Sequence, residues 1–249
     1  GVRVLTGTVT SPSLAGQLEA LLAAYPKARW HQYEPAGRDA AREGARLAFG
    51  EYVDAIYHFD KADRIVSLDA DFLDRGPANV RYTADYAKRR DVVDHAEGDT
   101  HHAELNRLYA FESSPTNTGA AADHKWVLRP SQIAAVARRL AAALGVQASV
   151  SDQDGLSEAD RDAIAKIAAD LKNHNGASIV IAGDHQPAVV HALAHAMNDA
   201  LGSVGQTLTY IQAVEARPMN QIASIAELAA DMRDSKVKLL IILGGNPVY

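Results

Sequence analysis

The chain has 249 residues, with 25 Lys and Arg against 31 Asp and Glu, a formal charge of -6, no Cys and 47% hydrophobic residues. That length can bury a full core, as one large domain or two small ones. The acidic balance offers no basic face to a nucleic-acid backbone or to an anionic bilayer. Without Cys these residues hold no disulfide, no thiolate nucleophile and no Cys-ligated zinc or iron–sulfur cluster.

No apolar run approaches the roughly 20 residues that cross a bilayer, and the N-terminus lacks a signal-peptide pattern, so a soluble chain without membrane insertion is expected. Gly1 stands directly before an apolar run, and Tyr249 follows a Gly-rich turn. Both ends read as cut, as in a piece of a longer protein.

Residues 2–6 (VRVLT) read as a strand. Ser11 suits an N-cap and Pro12 the first helical position, and Leu14, Leu18, Leu21, Leu22 and Tyr25 then fall on one helical face. Residues 29–34 predict a second strand. Ala41, Ala45, Ala48 and Phe49 line a second helix ending at Gly50, and residues 64–69 (RIVSLD) form a third strand.

Strand, helix, strand, helix, strand implies a parallel sheet with crossover connections. A further helix is expected from near Pro77, a strand at 107–112 (RLYAFE), and a helix through Ile133, Val136, Ala137, Leu140 and Leu144. Residues 91–104 read as an exposed loop, and 146–155 as the boundary between two halves. Beyond it come a helix through Ile164, Ile167, Ala168 and Leu171, a strand at 178–182 (SIVIA), and a helix opened by Pro187. A strand at 207–211 follows, then a helix headed by Ser224 with Glu227 at capping-box spacing, and a last strand at 238–243.

First strands start at 2 and 178, Pro-opened helices at 12 and 187, and final strands at 64 and 238, an offset of about 175 each time. The expected fold is therefore α/β, two doubly wound parallel-sheet (Rossmann-like) lobes related by internal duplication, residues 1–150 and 151–249. A βα barrel is the rival, disfavoured by about seven strands and a central break.

In such sheets ligands lie beyond the carboxyl ends of the strands. Four loops qualify, at 6–11 (TGTVTS), 69–74 (DADFLD), 183–186 (GDHQ) and 244–249 (GGNPVY). Glycines permit close approach, and free N–H groups attract phosphates. Asp69, Asp71 and Asp184, however, set carboxylates where a phosphate needs donors, and would repel an anionic cofactor. His191 and His195 have metal-sharing i, i+4 spacing, yet Ala192 replaces a metalloprotease Glu, and a packing role is favoured. His95, His101 and His102 read as parts of a solvated loop. No nucleophile elbow, Walker loop or GxGxxG fingerprint is present, and Ser113 and Ser114 read as a turn before Pro115.

The stretches KADRIVSLDADFL (61–73) and NRLYAFESSPTNTGAAADHKWVLRP (106–130) resemble the central α/β domain of molybdopterin oxidoreductases of the dimethyl sulfoxide reductase superfamily. VKLLIILGGNPVY (237–249) resembles that superfamily's second cofactor loop, where Gly-x-Asn-Pro meets the nucleotide of a molybdopterin guanine dinucleotide. Together with LTGTVTSPS, WHQYEP and VIAGDHQP, these motifs are similar to the large iron–sulfur subunit of bacterial alternative complex III, a quinol-oxidising membrane complex.

The resemblance implies cofactor-facing positions at Gly7, Thr8, Ser67, Asp69, Asp71, Glu112, Ser113, Gly183, Asp184, Gly244, Gly245, Asn246 and Pro247, with no catalytic residue and no metal ligand. The first cofactor loop departs from Gly-x-Asn-Pro, reading Asp69-Ala70-Asp71-Phe72. Glu112-Ser113-Ser114-Pro115 lacks the guanidinium of an Asp-Pro-Arg motif. The implied role is a scaffold without its own redox centre, iron–sulfur clusters lying elsewhere in the parent chain. Its partners would be the other subunits of the respiratory complex, at the periplasmic face of the bacterial membrane. The alternative is a module that binds molybdopterin guanine dinucleotide in an active oxidoreductase.

Overall fold

The computed structural model describes residues 1–91 and 105–245. The first part of the chain forms β1 (Val2–Thr6), α1 (Pro12–Ala24), β2 (Arg29–Gln32), α2 (Asp39–Phe49), β3 (Val53–Tyr57), a 3₁₀ turn (Phe59–Lys61), β4 (Arg64–Leu68), α3 (Asn79–Lys88), β5 (Arg107–Glu112), α4 (Asn117–Ala121), β6 (His124–Val127) and α5 (Pro130–Ala143). There follow α6 (Glu158–Asn173), β7 (Ser178–Ala182), α7 (Ala188–Ala200), β8 (Leu208–Gln212), α8 (Gln221–Arg233) and β9 (Leu239–Leu243).

The protein is α/β, with two parallel sheets flanked by helices in a Rossmann-like manner. One sheet has the order β2-β1-β9 and the other β6-β5-β4-β7. Each draws strands from both sides of residue 150. β9 lies beside β1 and β7 beside β4, so the repeated units exchange strands reciprocally. β3 and β8 add an antiparallel ribbon that the expected parallel pattern did not contain.

Local chemistry explains most boundaries. The Ser11 hydroxyl accepts from Leu14 N–H and Pro12 opens α1, as expected. Gly50 adopts a left-handed φ of 79° and ends α2. α8 starts earlier than the Ser224 to Glu227 spacing suggests, because Asn220 caps it through Ala223 N–H and Asp39 accepts from Gln221 and Ile222 N–H. The Ser224 hydroxyl oxygen instead accepts from Gln32 N–H on β2.

The four-stranded sheet is buried on both faces. Val66, Leu68, Tyr109, Phe111 and Val180 pack against α5, α6 and α7. Ile65, Leu108 and Ile179 pack against Phe59, Phe72, Tyr82 and Tyr86, with the Phe59 and Phe72 rings stacked at 4.3 Å. Burial on both faces accounts for near-continuous apolar strands. The three-stranded sheet packs Val4, Trp30 and Ile241 against Ala15 and Leu18 of α1, and Arg3 meets the Asp231 carboxylate of α8 at 2.7 Å.

The connection from α5 to α6, expected as a boundary, is tied down by Asp154. Its carboxylate pairs with Arg139 of α5 and, at 3.0 Å, with Arg161 of α6. Burial opposes ionisation of Asp154, but Arg139, the Leu156 amide and Arg161 outweigh it and hold the carboxyl down to about 2.

Helix α2, which follows the three-stranded sheet, packs on α7, which follows the four-stranded one, and this is the most extensive helix contact. Gly44 permits it: a Cβ there would overlap the His191 Cβ and crowd Ala188 O at 2.8 Å. Gly44→Ala is therefore expected to lower stability by about 2 kcal/mol, although Ala is intrinsically the better helix former. Urea denaturation measures this, and a variant as stable as the parent would show that the helices tolerate a wider approach.

Candidate functional site

The two parallel sheets each contain a switch point, where consecutive connections leave a strand in opposite directions and a crevice opens at the carboxyl ends. In the four-stranded sheet it lies between β4 and β7, and brings Asp69 against Gly183. In the three-stranded sheet it lies between β1 and β9, and brings Gly7 towards Gly244. The expected loops at both sites thus meet in pairs.

At the first site Asp69 is the centre. Its backbone is left-handed, with φ 60°, and its side chain is only 2% exposed. One carboxylate oxygen accepts from Ser113 N–H at 2.8 Å, and the other accepts from the Ser113 hydroxyl at 2.7 Å, His185 Nε2 at 2.8 Å and Gln186 Nε2 at 2.9 Å. Burial by itself would raise the Asp69 carboxyl, but the Ser113 hydroxyl and amide, followed by His185, bring it below its ordinary range. Gly183 N–H donates to Leu68 O, and a Cβ on Gly183 would overlap the Asp69 carbonyl. The backbones therefore close the crevice from both sides.

The neighbouring carboxylates act in the same way. Asp71 accepts from Thr118 N–H in the first turn of α4. Glu112 accepts from the Thr116 amide and hydroxyl, faces Lys125 at 3.5 Å, and fills the space beside Gly119 that a side chain would need. Ser67 closes its own turn by bonding to Ala70 O and Ala70 N–H. Asp184 turns to Arg38 at 2.9 Å.

At the second site Thr8 N–H donates to Glu34 Oε2 at 3.2 Å, and the Thr8 hydroxyl accepts from Gln221 Nε2 at 2.8 Å. Glu34 lies so close to Gly7 that an added Cβ would stand 2.7 Å from its carboxylate. A cleft of about 70 Å³ remains, walled by Gly7, Tyr33, Glu34, Ile242, Gly244 and Gly245. Asn246 and Pro247 lie outside the described residues, as do His95, His101 and His102.

Chemically, the first site is an ionised carboxylate flanked by a hydroxyl and an imidazole. The carboxylate sits between Ser113 and His185, whereas an activated serine needs the imidazole in the middle. Glu34, His185, Gln186, Gln221 and Arg38 were not singled out in the sequence. His185 and Gln186 share a loop with Asp184 and carried a signal, since they are polar residues next to a switch-point glycine.

The α7 histidines are structural. His191 and His195 are 6% and 9% exposed, His195 Nδ1 meets the Tyr210 hydroxyl at 2.9 Å, and Phe49 packs edge-on against His195. His191 Nε2 has no partner. Burial lowers both to about 4; Asp184 opposes and Arg38 reinforces the shift at His191, while His191 reinforces it at His195. Among the described residues no group of three or more His, Asp or Glu is placed to hold a metal, and no helix is long and apolar enough to cross a membrane. No protein-family model and no curated protein sequence matches the chain.

Because these imidazoles bind protons less readily folded than unfolded, the stability they contribute is present above pH 6.5 and is lost as the pH falls towards 4. The expected loss is up to about 3 kcal/mol per histidine. Denaturation at stepped pH should reveal this slope, and His191→Leu should roughly halve it; an unchanged slope would mean other groups carry the acid response. Asp69→Ala is expected to cost about 3 kcal/mol, since it strands several buried donors. A near-neutral result would show that those donors find other acceptors.

Proposed function

We propose that the chain is a molybdopterin-oxidoreductase-like domain of a respiratory quinol-oxidising complex, and that it acts as a scaffold without its own redox centre. It would hold iron–sulfur domains of the parent chain and neighbouring subunits in place, at the periplasmic face of the bacterial membrane. The family assignment rests on the ordered motifs from LTGTVTSPS to LGGNPVY.

The observation that carries the scaffold reading is the Asp69 carboxylate, which takes up donors of three residues at the switch point. Glu34 does the same to Thr8 N–H at the other sheet. A dinucleotide's diphosphate needs such donors for itself, and the fixed Asp69 carboxylate repels it. This donor set does not fit molybdopterin guanine dinucleotide. The alternative, a working cofactor module, draws support from the Gly-x-Asn-Pro match at residues 244–247 and, among the described residues, from Gly244 and Gly245 lining an open cleft.

Elemental analysis of the full-length protein purified with its partners, together with fluorescence of oxidised pterin, tests the reading. Iron without molybdenum, tungsten or pterin is expected. Molybdenum or tungsten with stoichiometric pterin would overturn the scaffold role and require Asp69 and Glu34 to move on cofactor binding.

A further inference from the structure

The two parallel sheets end in four edge strands, β2, β9, β6 and β7. A bare edge offers unpaired N–H and C=O groups to any further strand. Three of the four are guarded. On β7 the Asn198 side chain accepts from Val180 N–H at 2.8 Å and donates to Val180 O at 2.7 Å, while the Ser203 and Thr207 hydroxyls close on Ser178 O. On β2 the Ser224 hydroxyl oxygen accepts from Gln32 N–H. β6 is short and carries His124 and Lys125, polar residues of the kind that discourage pairing.

β9 is different. Among the described residues no side chain bonds to its backbone, and all five of its residues (LLIIL) are apolar. Such a run is the pattern of a parallel strand covered on both faces, yet Leu239, Ile242 and Leu243 are 52%, 42% and 40% exposed.

The first repeat supplies the comparison, because β4 holds the place there that β9 holds in the second. Leu239 opposes Val2 and Leu243 opposes Thr6 in the same register in which Arg64 opposes Ser178 and Leu68 opposes Ala182. Each strand is followed at once by a left-handed residue, Asp69 with φ 60° and Gly244 with φ 76°. Alternate residues of β4 serve its two neighbours, since Leu68 O accepts from Gly183 N–H and Asp69 N–H donates to Phe111 O. Leu239 N–H donates to Gly1 O on the β1 side. That alternation turns the backbone groups of Leu240 and Ile242 outward, as those of Ile65 and Ser67 turn towards β5.

We propose that the outer edge of β9 is the docking site of one further parallel strand, in the register of β5 on β4, supplied by the parent polypeptide beyond residue 249. Its first residue would stand opposite Leu239 and its fifth opposite Leu243, as Arg107 and Phe111 stand opposite Arg64 and Leu68. A crossover helix in the place of α3 would cover Leu240 and Ile242, as Tyr82 and Tyr86 of α3 pack over Ile65. This rests on the reading of the chain as part of a larger polypeptide, and not on whether that polypeptide binds a cofactor, so it and the metal analysis fail separately.

Site-resolved hydrogen–deuterium exchange tests it, in the 249-residue chain and in the full-length parent with and without its partner subunits. In the short chain the Leu240 and Ile242 amides should exchange within about tenfold of the unfolded rate, and in the parent alone at least about a hundredfold more slowly. Ile242 is half-exposed, so the short chain should accept Ile242→Lys, whereas in the parent the buried charge should speed exchange at Leu240 about tenfold or more. Equal exchange of these amides in the short chain and the parent overturns the proposal, as does Ile242→Lys exchanging like the unaltered parent. Protection that appears only with partner subunits gives the edge to one of them and overturns it too. Protection already present in a short chain that sediments as a dimer gives the edge to a second copy, with the same consequence.

Discussion

The close approach of α2 and α7 is the constraint on which the rest of the molecule rests. Gly44 lets one helix backbone settle against His191 and Ala188 of the other, and through that contact the helix leaving one sheet is fixed to the helix leaving the other. The reciprocal strand exchange needs it. β9 reaches β1 and β7 reaches β4 only if both sheets are held at one separation. His191 and His195 are buried in the same seam.

Asp69 illustrates a general economy of charge. A doubly wound sheet gathers unsatisfied N–H groups at its carboxyl end, and something negative must meet them. In many nucleotide-binding folds the negative group arrives with the ligand. Here Asp69, Asp71, Glu112 and Glu34 supply it from within the chain. A carboxylate held by backbone and side-chain donors stabilises the loop at all times, whereas a bound phosphate would do so only when present.

The α/β class and the parallel strands β1, β4, β5, β7 and β9 were legible because apolar runs bounded by Gly, Pro and Ser are strong local signals. β3 and β6 were missed: VDAIY and HKWV are short and mix polar and apolar residues, and they become strands only by pairing, β3 with the distant β8 and β6 with the preceding β5. The α8 start was misplaced for a similar reason, since Asp39, far away in sequence, satisfies its first amides. At the candidate site the loops were readable, and the conflict between Asp69 and an anion was too. The identity of the donors was not, because Ser113, His185 and Gln186 reach Asp69 only after three separate loops have been brought together by the sheet.

The pairing of β1 with β9 also governs when the protein can fold. Val2 stands opposite Leu239, so β1 must wait for β9, which is made far later. At about 5–20 residues per second, that delay is roughly ten to fifty seconds on the ribosome. Throughout it, β1 and its apolar neighbours in α1 lack one flank, while β4, β5 and β7 can assemble sooner. The central strand of the smaller sheet is thus completed late, and factors that shield nascent apolar segments have the most to act on at β1.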